Sequence, residues 1–276
     1  MALSETLKLS YNLVHHFPDA CTEIRGTCPD LLALLQLTSG SAQAPLDPPV
    51  SHLINLLLSV ETAEQDINHQ SMVFQDRDID LLLKILDSSL SQYAISDIDT
   101  LVSPLVSLIR AIHNRLSADT VATLKSRLLP TSSERDKALG QSDTLFSKLI
   151  RMSTSAHTPT LRTLVPQLMF ELSDKDPGTF VRNVGYGYAS GFLMNSGIDT
   201  GDLQRQARKS NTSGQNGEGT ASGSTRTNFV TGQYLDQEPK DTSALMTDEE
   251  KEREAEKLFV LFERSADRMW QCLILS

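Results

Sequence analysis

Apolar side chains recur along this chain at spacings of three and four, and over no useful length do they alternate with polar ones. That spacing draws one stripe down an α-helix, whereas a half-buried strand requires a period of two. Leu3, Leu7, Tyr11 and Val14 form such a stripe between Leu3 and His16. Further apolar segments run from Pro29 to Leu37, Val50 to Val60 and Asp76 to Tyr93. Ser96, with Asp99 three residues on as an acidic version of the capping box, opens a helix that reaches about Leu116. Ser117 opens another to Leu129, and Pro130 stops it. The central stretch from Arg135 to Leu193 adds runs at Leu145–Ile150 and Leu161–Phe170. Thr158 is the expected N-cap of the second run, Pro159 its first helical residue, and Asp176-Pro177 repeats the device before Phe180. Eight or nine helices therefore follow one another, with pairs recurring at roughly 40–45 residues. The spacing predicts an all-α, armadillo- or HEAT-like superhelical solenoid over residues 1–198, with a compact irregular helical domain as second choice.

The pattern changes at residue 199. Residues 199–246 carry a glycine-, serine- and threonine-rich run that cannot bury enough apolar surface to offset its ordering entropy, so a flexible linker is expected. Thr247 then caps a new amphipathic helix over 247–264, where Glu250 closes a capping box and acidic residues meet the positive end of the helix dipole. Ala255, Leu258, Phe259 and Phe262 share one face of it. A helix of this kind at the end of a tether docks on its own solenoid or on a partner.

The net charge of −10 is segregated. Residues 1–109 hold 4 basic and 14 acidic side chains, residues 110–165 hold 9 and 4, and residues 234–263 hold 4 and 10. An acidic chain with one basic segment is poorly suited to nucleic acid and better suited to an acidic or carboxylate-ended protein segment. No run of about 18 apolar residues occurs, as a membrane span requires. Cys21, Cys28 and Cys272 make no disulfide framework, and the N-terminus lacks the basic cluster of a signal peptide, so a reducing, cytoplasmic compartment is expected.

No motif for covalent chemistry stands out. Gly185-Tyr-Gly-Tyr-Ala-Ser-Gly191 looks like a phosphate-binding loop, but no strand precedes it and no acidic residue follows at about 20 positions. A tight helix-to-helix turn, in which small residues let backbones approach, is the better reading. The six histidines are scattered without a metal-ligand spacing, and Ser142-Asp143 and Ser173-Asp174 read as helix caps rather than nucleophiles. No enzyme, cofactor or metal site is expected.

Several stretches together resemble the C-terminal half of the synembryn family, in a fungal-like variant. They are Ala2–Leu9, Pro45-Leu-Asp-Pro-Pro49, Arg135-Asp-Lys-Ala-Leu-Gly140, Phe170–Asp176, Phe180–Leu193, Val230-Thr-Gly232 and Met246–Arg264. The resemblance covers about residues 2–264 and implies an armadillo-type solenoid. It also implies a cytoplasmic exchange factor and folding chaperone for heterotrimeric G-protein alpha subunits, recruited to the plasma membrane through them. In that family the concave face holds the alpha-subunit tail, and the last helix reaches the GTPase core. Carried onto this chain, Arg135, Lys137, Lys148 and Arg151 become candidate groove contacts, and Glu250, Glu254, Leu258, Phe259 and Phe262 become candidates on the docking helix. The family pattern includes further repeats before the point matching Met1, and residues 265–276 depart from it as an atypical tail. The alternative reading is a generic armadillo-type peptide-binding scaffold without exchange activity.

Overall fold

The computed structural model describes residues 2–17, 19–40, 42–63, 74–198 and 227–238, together with 252, 253, 256 and 257. Among them are eleven α-helices and no strand, only an isolated antiparallel bridge between Thr227 and Tyr234. The helices are α1 (Ala2–His16), α2 (Asp19–Gly26), α3 (Cys28–Ser39), α4 (Val50–Thr62), α5 (Asp76–Gln92) and α6 (Ile95–His113). They continue as α7 (Ala118–Leu128), α8 (Leu145–Thr154), α9 (Pro159–Leu172), α10 (Pro177–Val184) and α11 (Tyr186–Asn195). The chain divides into two compact units, 1–237 and 238–276.

In the first unit α1, α4, α6 and α9 pack one against the next as a continuous layer. A second layer runs α3, α5, α8, and the pairs α3–α4, α5–α6 and α8–α9 bridge the two. Helix α7 packs on α5 and α8, so the middle unit has three helices, as an armadillo repeat does. This is the expected α-solenoid. Its core follows from the stripes: Val50, Leu53, Leu57 and Val60 on α4, Val102, Leu105, Val106 and Ile109 on α6, and Leu161, Val165 and Leu168 on α9 are all fully buried. Each such side chain contributes about 1.5–3 kcal/mol by leaving water. At the far end Phe170, Phe180 and Phe192 form an aromatic triangle, with ring centroids 5.3–5.7 Å apart, that ties α9, α10 and α11 together.

The helix ends differ from expectation in instructive ways. Ser117 caps α7 through Thr120 N–H, and Asp176 caps α10 through Thr179 N–H at 2.6 Å, as the sequence predicts. Asp99 closes no capping box. Helix α6 begins one residue earlier, at Ile95, and the Asp99 carboxylate instead accepts the N–H groups of Thr160 and Leu161 at the start of α9. Thr158 does sit at the N-cap of α9, but its hydroxyl donates to the Met152 carbonyl, leaving the cap to Asp99. Thr144, not Ser142 or Asp143, caps α8, and Ser173 ends α9 with its hydroxyl donating to Met169 O. The eight-residue α2 is an element the sequence did not announce, since it contributes a single buried side chain, Cys21.

Residues 227–237 fall inside the stretch expected as a linker, yet they belong to the first unit and lie across its far end as a strap. Of the second unit, Glu252, Arg253, Glu256 and Lys257 are helical and exposed, within the span where a helix was expected. No helix among the described residues is long and apolar enough to cross a membrane.

Candidate functional site

One face of the α1–α4–α6–α9 layer is hollowed. Asn55, Leu58 and Thr62 on α4, and Ser107 and Arg110 on α6 with its C-cap Asn114, both follow the spacing three then four, so each set lies along one side of its helix. Between them, closed by Glu171 on α9, is a cavity of about 500 Å3. A second hollow of about 210 Å3 continues the trough between α1 and α4, lined by Lys8, Tyr11, Asn12, His52 and Asn55. Leu58 and Ala111 give the larger cavity apolar lining, while Arg110 and Asn114 supply hydrogen-bond donors around it; the Thr62 hydroxyl donates to Leu58 O of its own helix.

Arg110 is the organising charge. Its Nε donates to Glu171 Oε1 at 2.9 Å, and Glu171 Oε2 lies 3.6 Å from His113 Nδ1. His113 is buried, and its Nδ1 lies 3.1 Å from the Arg110 carbonyl, the geometry of a donated hydrogen bond. The Arg110–Glu171 pair is partly solvated and contributes little stability by itself. Its consequence is orientation: the Nε edge is engaged, and the terminal guanidinium nitrogens have no hydrogen-bond partner among the described residues. That edge is suited to a carboxylate or to peptide carbonyls. Sequence reasoning placed Arg110 in the basic segment but missed its role. The available signal was the polar residues at 107, 110 and 114, spaced three then four in the apolar second half of the helix and its C-cap.

The four basic candidates from the sequence are placed differently. Arg135 is half-buried, and its guanidinium donates to the backbone carbonyls of Gly232, at 2.9 Å, and Asn183, at 3.2 Å. Burial lowers its pKa below the ordinary arginine value. Lys148 on α8 bridges to Asp87 at 2.6 Å and to Ser91 at 2.8 Å on α5. Arg151 donates to the carbonyls of Gly140 and Ser142, holding the loop that leads into its own helix. Lys137 is exposed and makes no ion pair among the described residues. Glu250, Glu254, Leu258, Phe259 and Phe262 lie outside the described residues.

The glycine-rich stretch is the helix-to-helix turn the sequence suggested. Gly185, at φ +79°, ends α10 and opens α11, and a Cβ there would lie 2.8 Å from Val230 O. The strap takes that space. The first N–H groups of α11, those of Tyr186 and Gly187, donate to Phe229 O and Val230 O. Tyr186 and Phe229 stack at 5.2 Å between ring centroids. Among the described residues no group of His, Cys, Asp and Glu is arranged to hold a metal.

A solenoid of these repeats with a peptide-sized trough narrows the relatives to be considered. The profile of the family described as "guanine nucleotide exchange factor synembryn" matches residues 1–268. The chain belongs to the synembryn family. Among curated members, it is 24% identical over 211 residues to the chaperone Ric-8A of Xenopus tropicalis, covering 76% of this chain and 38% of that protein. It is 31% identical over 146 residues to a synembryn-like chaperone of Schizosaccharomyces pombe, covering 51% and 27% respectively. The Ric-8A of Rattus norvegicus is 26% identical over 211 residues, again 76% of this chain and 38% of the relative. The synembryn segment seen here thus spans less than two fifths of the length of these relatives.

Proposed function

We propose that this chain binds G-protein alpha subunits, acting as an exchange factor and folding chaperone without covalent chemistry. Family membership carries the reading, and the trough across α4, α6 and α9 gives it a physical site. An alpha-subunit tail laid in the trough would place carboxylate and carbonyl oxygens against Arg110 and Asn114, with apolar side chains on Leu58 and Ala111. Lys137, exposed on the loop before α8, is a further candidate contact. The segment 247–264, with Glu250, Glu254, Leu258, Phe259 and Phe262, would engage the GTPase core. The site of action is then the cytoplasm and, through the alpha subunit, the inner face of the plasma membrane.

The mechanism is thermodynamic. A protein that holds nucleotide-free alpha subunit more tightly than the GDP form must weaken GDP binding by the same factor. The same preference for an open, incompletely ordered partner stabilises that partner during folding. GDP release from purified alpha subunit, followed over a concentration series of this chain, tests the reading directly. Acceleration together with tail-peptide binding supports it. Tail-peptide binding without acceleration favours the second reading, a peptide-binding scaffold without exchange activity.

A further inference from the structure

The smaller hollow, between α1 and α4, differs in chemistry from the cavity beside Arg110. Leu7 and Tyr11 give it apolar lining, and its polar groups are Asn12, His52 and Asn55, with Lys8. The Lys8 Nζ donates to Glu5 Oε1 at 2.9 Å, so that charge is balanced on its own helix. Neither Asn12 nor Asn55 makes a side-chain hydrogen bond among the described residues. His52 Nδ1 is buried and has no hydrogen-bond partner among them. An imidazolium needs an acceptor for each of its two N–H groups, so a buried Nδ1 without one disfavours the charged ring. Position acts the same way, because His52 is the third residue of α4, where the helix dipole is positive. The pKa of His52 is lowered, by burial first and by the Lys8 charge second, with Glu5 opposing. The ring is therefore neutral at pH 7, leaving Nε2 as the nitrogen able to meet a ligand, as donor or acceptor according to tautomer. Two carboxamides and one neutral imidazole thus face the hollow, and none of them carries charge.

We propose that this hollow is a second subsite of the trough, one that takes an uncharged carboxamide side chain, glutamine or asparagine, from the segment bound at Arg110. The inference rests on the peptide-trough reading above. A carboxamide brings an acceptor oxygen and two donor hydrogens, which Asn12, His52 and Asn55 can answer, while its methylene stem packs on Leu7 and Tyr11. Among the lining groups a carboxylate finds no unpaired cation and an ammonium finds no carboxylate. Either would give up water without meeting an opposite charge. Placement agrees with a shared ligand. His52, Asn55, Leu58 and Thr62 are spaced three, three and four, so the two hollows adjoin the same side of α4. They lie about 10 Å apart along that helix and one helix spacing of about 9 Å apart across the layer. A peptide of about twelve residues covers about 18 Å even when helical, so one segment reaches both. Arg110 then supplies the anchor for the segment, and the α1–α4 hollow selects one of its side chains.

The test uses the full chain and a labelled peptide, the last twelve residues of a G-protein alpha subunit, in which each position before the terminal one is replaced in turn by Gln, Glu and Ala. Fluorescence polarisation reads the affinities. At one position, or at two neighbouring ones, Gln should bind at least about fivefold tighter than both Glu and Ala, the scale of one net hydrogen bond. Asn55→Leu and His52→Phe should each shrink that preference to less than about twofold. Asn12→Ala, at an exposed position of α1, gives the same reading should an α4 variant fail to fold. Arg110→Ala should weaken all the peptides alike and keep the preference. If the chain binds the tail peptide but no position favours Gln over both alternatives, the subsite is overturned and the trough reading stands. A preference that survives all three hollow variants overturns it too, since the selecting groups then lie elsewhere. A wild type that binds none of the peptides removes the trough reading, and the subsite falls with it.

Discussion

The carboxylate of Asp99, on α6, accepts the backbone N–H of Leu161, on α9, at 2.9 Å, and that of Thr160 at 3.1 Å. One repeat of the solenoid therefore caps the helix of the next, and its register is fixed by a bond across 62 positions of chain. Burial acts to raise the Asp99 pKa, but the hydrogen bonds from Leu161 and Thr160 outweigh it, and the net shift is downward. A carboxyl whose folded pKa lies below its unfolded value, about 3.9, stabilises the fold above that value and loses the contribution as pH falls through the folded pKa. Asp99→Ala should cost about 1 kcal/mol at pH 7, the usual size for a solvent-accessible cap. Chemical denaturation between pH 7 and pH 2.5 checks this: the difference between the two proteins should be largest at pH 7 and shrink as the pH falls through the folded pKa of Asp99.

Gly185 cannot accept a side chain. Its φ of +79° disfavours any L-residue, and a Cβ would meet three backbone atoms of the strap, Val230 O, Thr231 C and Gly232 N, at 2.8–3.0 Å. Backbone yields less readily than a side-chain tip, so Gly185→Ala should destabilise by about 1–3 kcal/mol and displace the strap. Gly191→Ala is the control, because its Cβ position faces open space and alanine favours a helix interior. Thermal unfolding of the pair should show a fall for the first and no fall for the second. Equal falls would mean that the close approach at Gly185 is unimportant.

How much of this was legible in the sequence depends on whether a feature is local. Helix existence is local, and stripes such as Val50, Leu53, Leu57 and Val60 marked α4 well. The small-residue turn at Gly185 was readable for the same reason. Caps proved misleading where the partner is remote: Ser96 and Asp99 have capping-box spacing, but Asp99 serves α9. The partners of Lys148 and Arg151 were not readable, because Asp87 lies 61 positions away and a carbonyl acceptor leaves no sequence signal. The strap was hidden by its neighbours. Asn228–Tyr234 follows a low-complexity run, and the apolar groups that anchor it, Phe229 and its stacking partner Tyr186, are brought together only by the fold.

Cys28 should be chemically quiet. Burial pushes its thiol up to about 11, with the negative charge of Glu61 adding to the effect and Arg25 opposing it. At pH 8 such a thiol is about 0.1% thiolate, against roughly a fifth for a free cysteine, and the thiolate is the reactive form. Alkylation of Cys28 by iodoacetamide in the native protein should therefore run at least about 100-fold slower than in denaturant. Peptide mass mapping after timed quenching gives both rates. Comparable rates would mean that α2 and α3 open readily.

Arg110 and Glu171 separate the roles of charge and orientation in the trough. Arg110→Ala removes both the guanidinium and its fork geometry, and tail-peptide affinity should fall roughly tenfold, the scale of one charge-assisted hydrogen bond of about 1.5 kcal/mol. Arg110→Lys keeps the charge as a compact ammonium that cannot bind bidentately, and should recover less than half of that free energy. Glu171→Gln leaves Arg110 in place but loses the carboxylate 2.9 Å from its Nε, so a smaller loss of about threefold is expected. Isothermal titration of one peptide against the three variants measures the order, with global stability followed in parallel. If Arg110→Lys binds as well as the wild type, the trough senses net positive charge alone, and the oriented guanidinium edge has no part in recognition.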